Sequence, residues 1–378
     1  MNMPQSTSES MPENKPDSTP TITPNSSLHF HPLRVSRMQP DGADAMLVSF
    51  DVPAEQAALF RFTPGQYLTL RAAALGDEVR RSYSICAAPG EPLRVGVRRV
   101  AAGAFSTWLH MQLKAGDVLD VMPPQGRFGA ALAQSPRHLL AVAGGSGITP
   151  VLSILKAALE GGTHTRCTLL YGNRSVASTM FKEELEDLKN RHLARLSLHT
   201  VFSREEVDMP LHSGRIDGAK LATFLRLSGP VDQAFVCGPH AMNDEIEAAL
   251  QGAGLSAECI HVERFGLPPS AGDAALHAPR AGDAATARIR IVRDGLTREI
   301  DFLPGDVSIL AAAARSGLDV PYSCRSGVCA TCRARVLDGQ VRMDRNFALE
   351  AAEVQAGQVL TCQAHPLTER VTVSFDER

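Results

Sequence analysis

The sequence of 378 residues has no large excess of charge of one sign and no long apolar run. Its formal net charge is −3, so its overall charge does not favour nucleic acid or an anionic membrane surface as a partner. It contains neither the run of about 20 apolar residues that a membrane-spanning helix needs nor the basic start and apolar stretch of a secretory leader. We therefore expect a cytoplasmic protein that binds neither nucleic acid nor membrane.

Cysteine is scarce, yet three of the 8 cysteines stand close together in "YSCRSGVCATCRA", as Cys324, Cys329 and Cys332. In the cytoplasm, cysteines are expected as free thiols or metal-bound thiolates, which disfavours a disulfide. The next cysteine is Cys362, so the spacing is C-x4-C-x2-C-x29-C. The first two gaps match plant-type [2Fe–2S] sites. Zinc is the main alternative, but structural zinc usually takes cysteines as two separated short pairs, whereas three cysteines in one loop and one remote cysteine suit an iron–sulfur cluster.

The length of the chain predicts two or three domains, and the patterning predicts three after a tail. Residues 1–27 are rich in Ser, Thr, Pro and Asn, which predicts disorder. Residues 28–135 contain short alternating runs broken by Pro and Gly, which predict an antiparallel β-barrel or sandwich. From 136 to 266, strands such as "HLLAVAGG" alternate with helices such as "TPVLSILKAALEGG", as in a doubly wound parallel α/β sheet.

The remainder of the chain consists of a predicted linker and a smaller unit. Residues 267–287 have the Ala, Gly, Pro and Asp composition of a linker. Residues 288–378 begin with the hairpin candidate "ARIRIVRDGLTREIDFLP" and the helix candidate "SILAAAARSG", and then reach the cysteine loop. This unit has 12 Arg, no Lys and 12 acidic residues. An electron carrier without net charge suits a domain that is linked to its electron donor. The linker holds the two at a high effective concentration, so electrostatic steering is not needed for them to meet.

Two segments of the first unit have the chemistry of a flavin site. In "RSYS", Arg81 can pair with a phosphate, Tyr83 can lie against a flat ring, and the Ser84 hydroxyl can bind the flavin nitrogen that accepts hydride. The segment "GAFSTWL", from Gly103, is predicted to be a turn that opens a helix, whose N–H groups can cradle a pyrophosphate. Each segment alone also fits an ordinary strand or turn.

The second unit has the features of a nucleotide site. "AVAGGSGITP" ends a buried strand with glycines and starts a helix, which allows close approach of a pyrophosphate. Cys237 of "CGP" fits either a nicotinamide site or a small buried residue at a strand end. Arg174 and Arg204 follow two of the strands, and Glu205 is the acid nearest to them. Because Arg suits a 2′-phosphate, NADPH is preferred, with ordinary surface arginines as the alternative.

Five motifs occur along the chain in the order "PGQY", "RSYS", GxxS, GGxGITP and "CGP". Together they resemble the motifs of the ferredoxin–NADP reductase superfamily. The last unit resembles plant-type ferredoxins. The resemblance implies an FAD-binding β-barrel, an NAD(P)-binding α/β domain and a β-grasp ferredoxin domain, although FMN-binding members of the superfamily exist. It implies cluster ligation by the four cysteines named above and a reaction centre near Ser84, Cys237 and Phe265. Cofactor contacts are implied for Arg81, Ser82, Tyr83, Ser84, Val97, Gly103, Ala104, Phe105, Ser106, Thr107, Gly144, Gly145, Ser146, Gly147, Thr149, Arg174, Ser203, Arg204, Cys237, Gly238, Pro239 and Met242.

Residues 28–378 as a whole resemble the reductase components of multicomponent oxygenases. Segments such as "RRSYSICAAP" and "VPYSCRSGVCATCRARVLDGQVRMDRNFALE" are most similar to the reductases of phenylacetyl-CoA epoxidases. The resemblance implies electron transfer from NADPH through FAD and a [2Fe–2S] cluster to a separate diiron oxygenase in phenylacetate catabolism. A reductase for another oxygenase or a hybrid-cluster protein, and a redox sensor, are the alternatives. The partner is expected to contact Arg325, Ser326 and Val328.

Overall fold

A computed structural model describes residues 28–76, 79–134, 136–161, 164–266 and 277–377. The predicted disordered tail and residues 267–276 of the predicted linker lie outside the described residues. Within the described ranges, no helix is both long enough and apolar enough to cross a membrane.

The first unit is a curled antiparallel sheet, which confirms the predicted barrel. Its strands pair in the order β4-β3-β6-β1-β2-β5, and the two edges meet at a bridge between Ile85 and Val95. Buried aliphatic side chains such as Leu33, Leu68 and Val121 fill its interior, as expected where alternate residues of each strand face inward. The elements are β1 (His31–Asp41), β2 (Ala45–Asp51), β3 (Tyr67–Arg71), β4 (Arg80–Ser84), β5 (Arg94–Arg98), α1 (Ala104–Met111) and β6 (Val118–Gln125).

The second unit is a parallel sheet with helices on both faces, as predicted. The strand order is β11-β10-β7-β8-β9. Leu139 and Leu140 point to opposite faces and belong to different buried clusters, which explains why the central strand is apolar throughout. The elements are β7 (His138–Gly144), α2 (Ile148–Gly161), β8 (Arg166–Asn173), α3 (Lys182–Arg191), β9 (Leu196–Phe202), α4 (Gly218–Ser228), β10 (Gln233–Gly238), α5 (His240–Gly252) and β11 (Ile260–Arg264).

The third unit is a mixed sheet of order β13-β12-β18-β14-β16 with a helix against it. The predicted hairpin is present, and its turn at Asp294 and Gly295 has positive φ at both residues, as a tight hairpin turn requires. The predicted helix begins where the Ser308 hydroxyl accepts a hydrogen bond from the Ala311 N–H. The elements are β12 (Ala287–Arg293), β13 (Leu296–Phe302), α6 (Ile309–Arg315), β14 (Arg333–Asp338), β15 (Val341–Met343), α7 (Ala351–Gln355), β16 (Gln358–Leu360), β17 (Ala364–Pro366) and β18 (Arg370–Ser374).

The first and second units share a core and a buried ion-pair network. Ala45 and Leu47 of β2 belong to the same buried cluster as α2. Lys156 of α2 is only 2% exposed, and its ammonium lies 2.8 Å from Glu91 of the first unit and 2.5 Å from Glu184 of α3. Because a buried charge is costly without a partner, this network favours one relative placement of the two units.

The third unit contacts the first through the earliest described residues. Leu28 is 3% exposed and belongs to the buried cluster of the third sheet. The imidazole of His29 lies 3.1 Å from the Asp294 carboxylate, and the Phe30 ring lies 4.3 Å from the guanidinium carbon of Arg71. Residue 28, which the sequence assigns to the barrel, therefore packs its side chain into the third unit.

Candidate active site

The glycine-rich turn after β7 fits against the end of β10. A Cβ atom on Gly147 would lie 2.0 Å from the carbonyl oxygen of Cys237, and one on Gly144 would lie 2.6 Å from the Pro239 ring. Gly145 has φ +56°, a conformation that glycine adopts without strain. The two motifs, GGSG and CGP, are therefore in direct backbone contact, and side chains at these glycines would separate them.

A cavity of about 680 Å³ opens beside this junction. The buried Asn173 side chain lines it, next to the Tyr171 hydroxyl. Its amide can both donate and accept hydrogen bonds, which suits a polar ligand such as a nucleotide. Residues that the sequence analysis implied and that line the cavity are Gly144, Gly145, Ser146, Gly147, Arg174, Ser203, Arg204, Gly238, Pro239, Met242 and Phe265.

Two of the implied nucleotide residues lie within the protein rather than at the cavity wall. Cys237 is fully buried in the core, and burial, with a smaller contribution from the nearby Glu263, raises the pKa of its thiol well above the usual value. Thr149 is buried, and its hydroxyl donates to the Ser146 carbonyl at 2.9 Å. The structure thus gives Thr149 a role in shaping the glycine turn, and a catalytic role for Cys237 stays a prediction.

The cavity end formed by β8 and β9 is rich in arginine. Arg174 and Arg204 line it, as does Arg215, which the sequence analysis did not identify. Arg174 lies 2.6 Å from the Asp44 carboxylate of the first unit. The nearby acid Glu205 accepts a hydrogen bond from the Val176 N–H at 2.7 Å. This carboxylate therefore already has a partner, and the surrounding guanidinium groups suit an anionic ligand group.

The predicted flavin motif lies on β4 and faces α1. The Tyr83 ring is half-buried, its centroid lies 5.8 Å from that of Phe105, and burial raises the pKa of its hydroxyl. Ser84 is buried, whereas Arg81 is exposed, with its guanidinium 2.7 Å from the Arg80 carbonyl. Helix α1 has no side-chain cap at Gly103. The exposed guanidinium and the free N–H groups at the helix start can bind phosphates, and the half-buried aromatic ring can lie against a flavin ring. These groups therefore fit a flavin nucleotide.

Other implied flavin residues have structural partners. The Val97 carbonyl lies 2.9 Å from the His110 ring nitrogen. Ser106 donates from its hydroxyl to Gly103 and accepts from the Val100 N–H, so it closes the turn before α1, whose first residues are Ala104, Phe105, Ser106 and Thr107. The Ser82 hydroxyl is 2.8 Å from the Ser323 hydroxyl in the third unit.

The four cysteines of the third unit meet as two pairs. Cys324 is paired with Cys329, and this interaction, together with backbone N–H groups such as that of Ser326, lowers the pKa of the Cys324 thiol. Cys332 is paired with Cys362, and this interaction lowers the pKa of the Cys332 thiol. The Ser326 N–H also points at the Cys324 sulfur, at 3.4 Å.

This pairing distinguishes a two-iron site from a single zinc ion. Four thiolates on one zinc ion would all lie roughly 3.8 Å from one another, given a Zn–S distance of about 2.3 Å. In the part of the chain that the structure describes, no three of the cysteine sulfurs come within 4.8 Å of one another. Two pairs, one from the loop and one joining the loop to Cys362, fit a cluster of two irons.

Family comparisons agree with all three units. Residues 32–129 match the oxidoreductase FAD-binding domain, residues 141–248 the oxidoreductase NAD-binding domain, and residues 291–367 the 2Fe-2S iron-sulfur cluster binding domain. The chain is 43% identical to one of the subunits of 1,2-phenylacetyl-CoA epoxidase of Escherichia coli K12, over 92% of this chain and 98% of that protein. It is 33% identical to the ferredoxin reductase component of 3-ketosteroid-9-alpha-monooxygenase of Rhodococcus rhodochrous, over 91% and 96% of the two chains.

The chain belongs to this family of iron–sulfur flavoprotein reductases. Among solved structures, phthalate dioxygenase reductase shares its fold, with a TM-score of 0.58 and 23% identity over 92% of this chain and 98% of that one. The reductase therefore combines an FAD domain, an NAD(P)H domain and a β-grasp [2Fe–2S] domain, and it is an oxidoreductase of the ferredoxin reductase type. The family match supports FAD as the flavin.

The reductase has a second cavity, of about 640 Å³, where all three domains meet. Tyr67 of β3, Glu263 of β11 and Val328 of the cysteine loop line it. The Glu263 oxygen Oε2 is buried without a hydrogen-bond partner in the described chain, and burial raises the pKa of this carboxyl to about 8. Sequence reasoning missed Glu263, two residues before Phe265 in "VERFG", because the sequence does not show that its carboxylate oxygen is buried.

Proposed function

We propose that this reductase supplies electrons to a diiron oxygenase that epoxidises phenylacetyl-CoA. It would oxidise NADPH and pass the electrons through FAD and the [2Fe–2S] cluster to the separate oxygenase component. The 43% identity to a component of 1,2-phenylacetyl-CoA epoxidase, over nearly the whole of both chains, supports this assignment. Other relatives that align over most of the chain are named as reductases of monooxygenases.

The observation that carries the proposal is the direct contact between the strand with the flavin motif and the cysteine loop. Strand β4 holds Tyr83 and Ser84, and from the same strand Ser82 contacts Ser323, beside the ligand Cys324. When bound, the flavin accepts a hydride and releases electrons singly, which suits the one-electron cluster. A short path between the two sites is what such a relay needs, and this contact provides it.

On this proposal, the residues of the chain have separate binding roles. Arg81 and the start of α1 bind the FAD phosphates, Tyr83 lies against the flavin ring, and Ser84 donates a hydrogen bond to it. The turn from Gly144 to Gly147 binds the pyrophosphate of the nucleotide. Phe265 is 44% exposed at the cavity wall, where it can move aside for the nicotinamide. Cys324, Cys329, Cys332 and Cys362 would hold the [2Fe–2S] cluster, which would supply one-electron transfer.

The arginines at the cavity end favour NADPH over NADH. Arg204 and Arg215 line the cavity, and Arg174 adds a third guanidinium. Guanidinium groups bind a 2′-phosphate through charge-assisted hydrogen bonds. An acid for the free 2′-hydroxyl is expected in an NADH site, but Glu205, whose Oε2 accepts from the Val176 N–H, is not among the described residues that line this cavity. Ser203, also at the cavity wall, would contact the same phosphate.

Reconstitution tests the proposal. The purified chain, mixed with the diiron oxygenase component and phenylacetyl-CoA, should couple NADPH oxidation to epoxide formation. Omitting either protein should stop epoxide formation. NADPH oxidation without epoxide, but with turnover of a steroid monooxygenase component, would instead identify a reductase for another oxygenase. Failure to reduce any protein acceptor, together with slow reduction of cytochrome c, would favour a redox sensor.

A further inference from the structure

We propose that Tyr67 and Ser82 are positioning residues that hold the cysteine loop against the flavin-binding strands and thereby set the rate of electron transfer between the two domains. This inference rests on the proposed function, because it concerns the step between the flavin site and the cluster site. It assigns these side chains no contact with the nucleotide and no part in hydride transfer.

Ser82 fixes the beginning of the loop. Its hydroxyl lies 2.8 Å from that of Ser323, which directly precedes the ligand Cys324, and 3.2 Å from that of Thr69 on the neighbouring strand. Ser82 is the residue between Arg81 and Tyr83 in the flavin motif. Because successive side chains of a strand point to opposite faces, Ser82 faces the cysteine loop whereas its neighbour Tyr83 faces α1.

A second contact from β4 supports the same placement. Arg80 is 3% exposed, its guanidinium lies 2.7 Å from the Asp319 carboxylate, and its guanidinium carbon lies 4.1 Å from the Tyr322 ring centroid. Asp319 and Tyr322 both precede the first ligand. A buried guanidinium with an ionic and an aromatic partner resists displacement, because moving the loop would leave its charge unpaired.

Tyr67 fixes the other part of the loop. Its hydroxyl donates a hydrogen bond to the carbonyl oxygen of the ligand Cys329 and lies 3.0 Å from the hydroxyl of Thr331, which precedes the ligand Cys332. The Tyr67 ring lies over Gly126, where a Cβ atom would come within 3.0 Å of the ring carbons. A glycine at 126 therefore leaves space for the ring to reach the loop.

Together these contacts determine which side of the cysteine loop faces the cavity between the three domains. Tyr67 and Ser82 lie on adjacent strands, and Ser82 is paired in register with Thr69. Val328, Cys329 and Ala330 line the cavity between the three domains. Val328 was predicted to contact an external partner, but it faces this cavity. Arg325 is exposed, so electrons would enter beside Cys329 and leave on the side of Arg325.

The experiment compares Tyr67→Phe, Ser82→Ala and the double variant with the unchanged chain, each loaded with FAD and cluster. In anaerobic stopped flow with NADPH, flavin reduction should keep its rate in Tyr67→Phe, which changes no residue of "RSYS", and in Ser82→Ala cluster reduction should slow more than flavin reduction. The cluster should then be reduced about 2- to 10-fold more slowly in each single variant, because one hydrogen bond of the docked arrangement is lost. The electron paramagnetic resonance spectrum of the dithionite-reduced cluster should not change.

A second measurement does not depend on turnover. Hydrogen exchange of the amides from 323 to 331 should be faster in the variants. Ser153→Ala is the matched control, because the Ser153 hydroxyl also crosses between domains, donating to the Ala87 carbonyl at 2.7 Å, but it joins the second domain to the first rather than the cysteine loop to the first. This control should leave both the cluster reduction rate and loop exchange unchanged.

Unchanged cluster reduction and unchanged loop exchange in the double variant would overturn the inference. A fall in the rate of flavin reduction equal to the fall in cluster reduction would also overturn it, since the residues would then act on the flavin site. Failure of the proposed function is recognised separately, because the unchanged chain would then fail to reduce its own cluster with NADPH or fail to support the oxygenase.

Discussion

The α-carbon of Gly147 lies so close to Cys237 that a Cβ atom there would come within 2.0 Å of the Cys237 carbonyl oxygen. This single contact joins the turn after β7 to the end of β10 at the edge of the nucleotide cavity. The contact leaves no space for a side chain at position 147. Glycine would therefore be needed there even if the turn bound no ligand.

Gly147→Ala should therefore damage both folding and binding. A methyl group cannot fit against backbone atoms without moving β10, so the free energy of unfolding should fall by roughly 1–3 kcal/mol, and the KM for NADPH should rise. Thermal unfolding and steady-state kinetics measure the two effects. Gly161→Ala is the control, because nothing lies within 4 Å of a Cβ atom at that position. Equal behaviour of the two variants would show that the turn and β10 do not need glycine at position 147.

Cys332→Ser should separate the two redox sites. Removing one of four thiolate ligands should abolish the cluster absorbance and the reduction of the oxygenase, whereas NADPH-driven reduction of ferricyanide at the flavin should remain. Visible spectra and the two assays check this expectation. Cys259→Ser, which changes a cysteine far from the loop in sequence, should retain every activity. Loss of ferricyanide reduction in Cys332→Ser would contradict separate sites.

Arg204→Ala should discriminate between the two nicotinamide nucleotides. The variant loses a charge-assisted contact to the 2′-phosphate, so kcat/KM for NADPH should fall about 10-fold, which corresponds to ~1.4 kcal/mol, while the value for NADH should change little. Arg226→Ala removes an arginine from the exposed side of α4 and serves as the control. An equal loss with both nucleotides would refute a role for Arg204 in recognition of the 2′-phosphate.

Glu263→Gln should make stability less dependent on pH. Burial raises the pKa of Glu263 from 4.5 to about 8 in the folded chain. The folded state therefore binds this proton more tightly than the unfolded state does, and stability decreases as the pH rises from 4.5 to 8. The variant should gain Tm relative to the unchanged chain as the pH rises, by about 5 °C at pH 8.5.

Differential scanning calorimetry between pH 5 and pH 9 measures this difference. The exposed Glu258→Gln should show no such trend. A difference in Tm between Glu263→Gln and the unchanged chain that is the same at every pH would mean that Glu263 does not titrate with a raised pKa.

Sequence reasoning reached the parts of the molecule that are encoded within short segments. Strand alternation predicted the barrel, the change to helices predicted the parallel sheet, and cysteine spacing predicted the cluster. It also selected residues of the nucleotide cavity from segments as distant as Arg174 and Phe265, because each segment carries its own chemical signature.

Sequence reasoning did not reach relations that arise only when domains pack. The spacing of "RSYS" does not show that Ser82 faces another domain. "PGQY" was recognised as a motif, but nothing near Tyr67 in the sequence reveals its contact with Cys329. Likewise, the sequence left Cys237 as either a nicotinamide-site residue or a buried residue, because its burial depends on neighbouring strands that are distant in sequence.

The position of Leu28 determines which segments must be exchanged together when chimeric reductases are built from this protein. Its side chain completes the core of the ferredoxin domain although it lies 259 positions before Ala287, the first residue of β12. A ferredoxin domain excised at the linker would lack this side chain and expose a gap in its core. Chimeric reductases built by exchanging C-terminal domains should therefore also exchange residues 28–30, because the interchangeable part is not continuous along the chain.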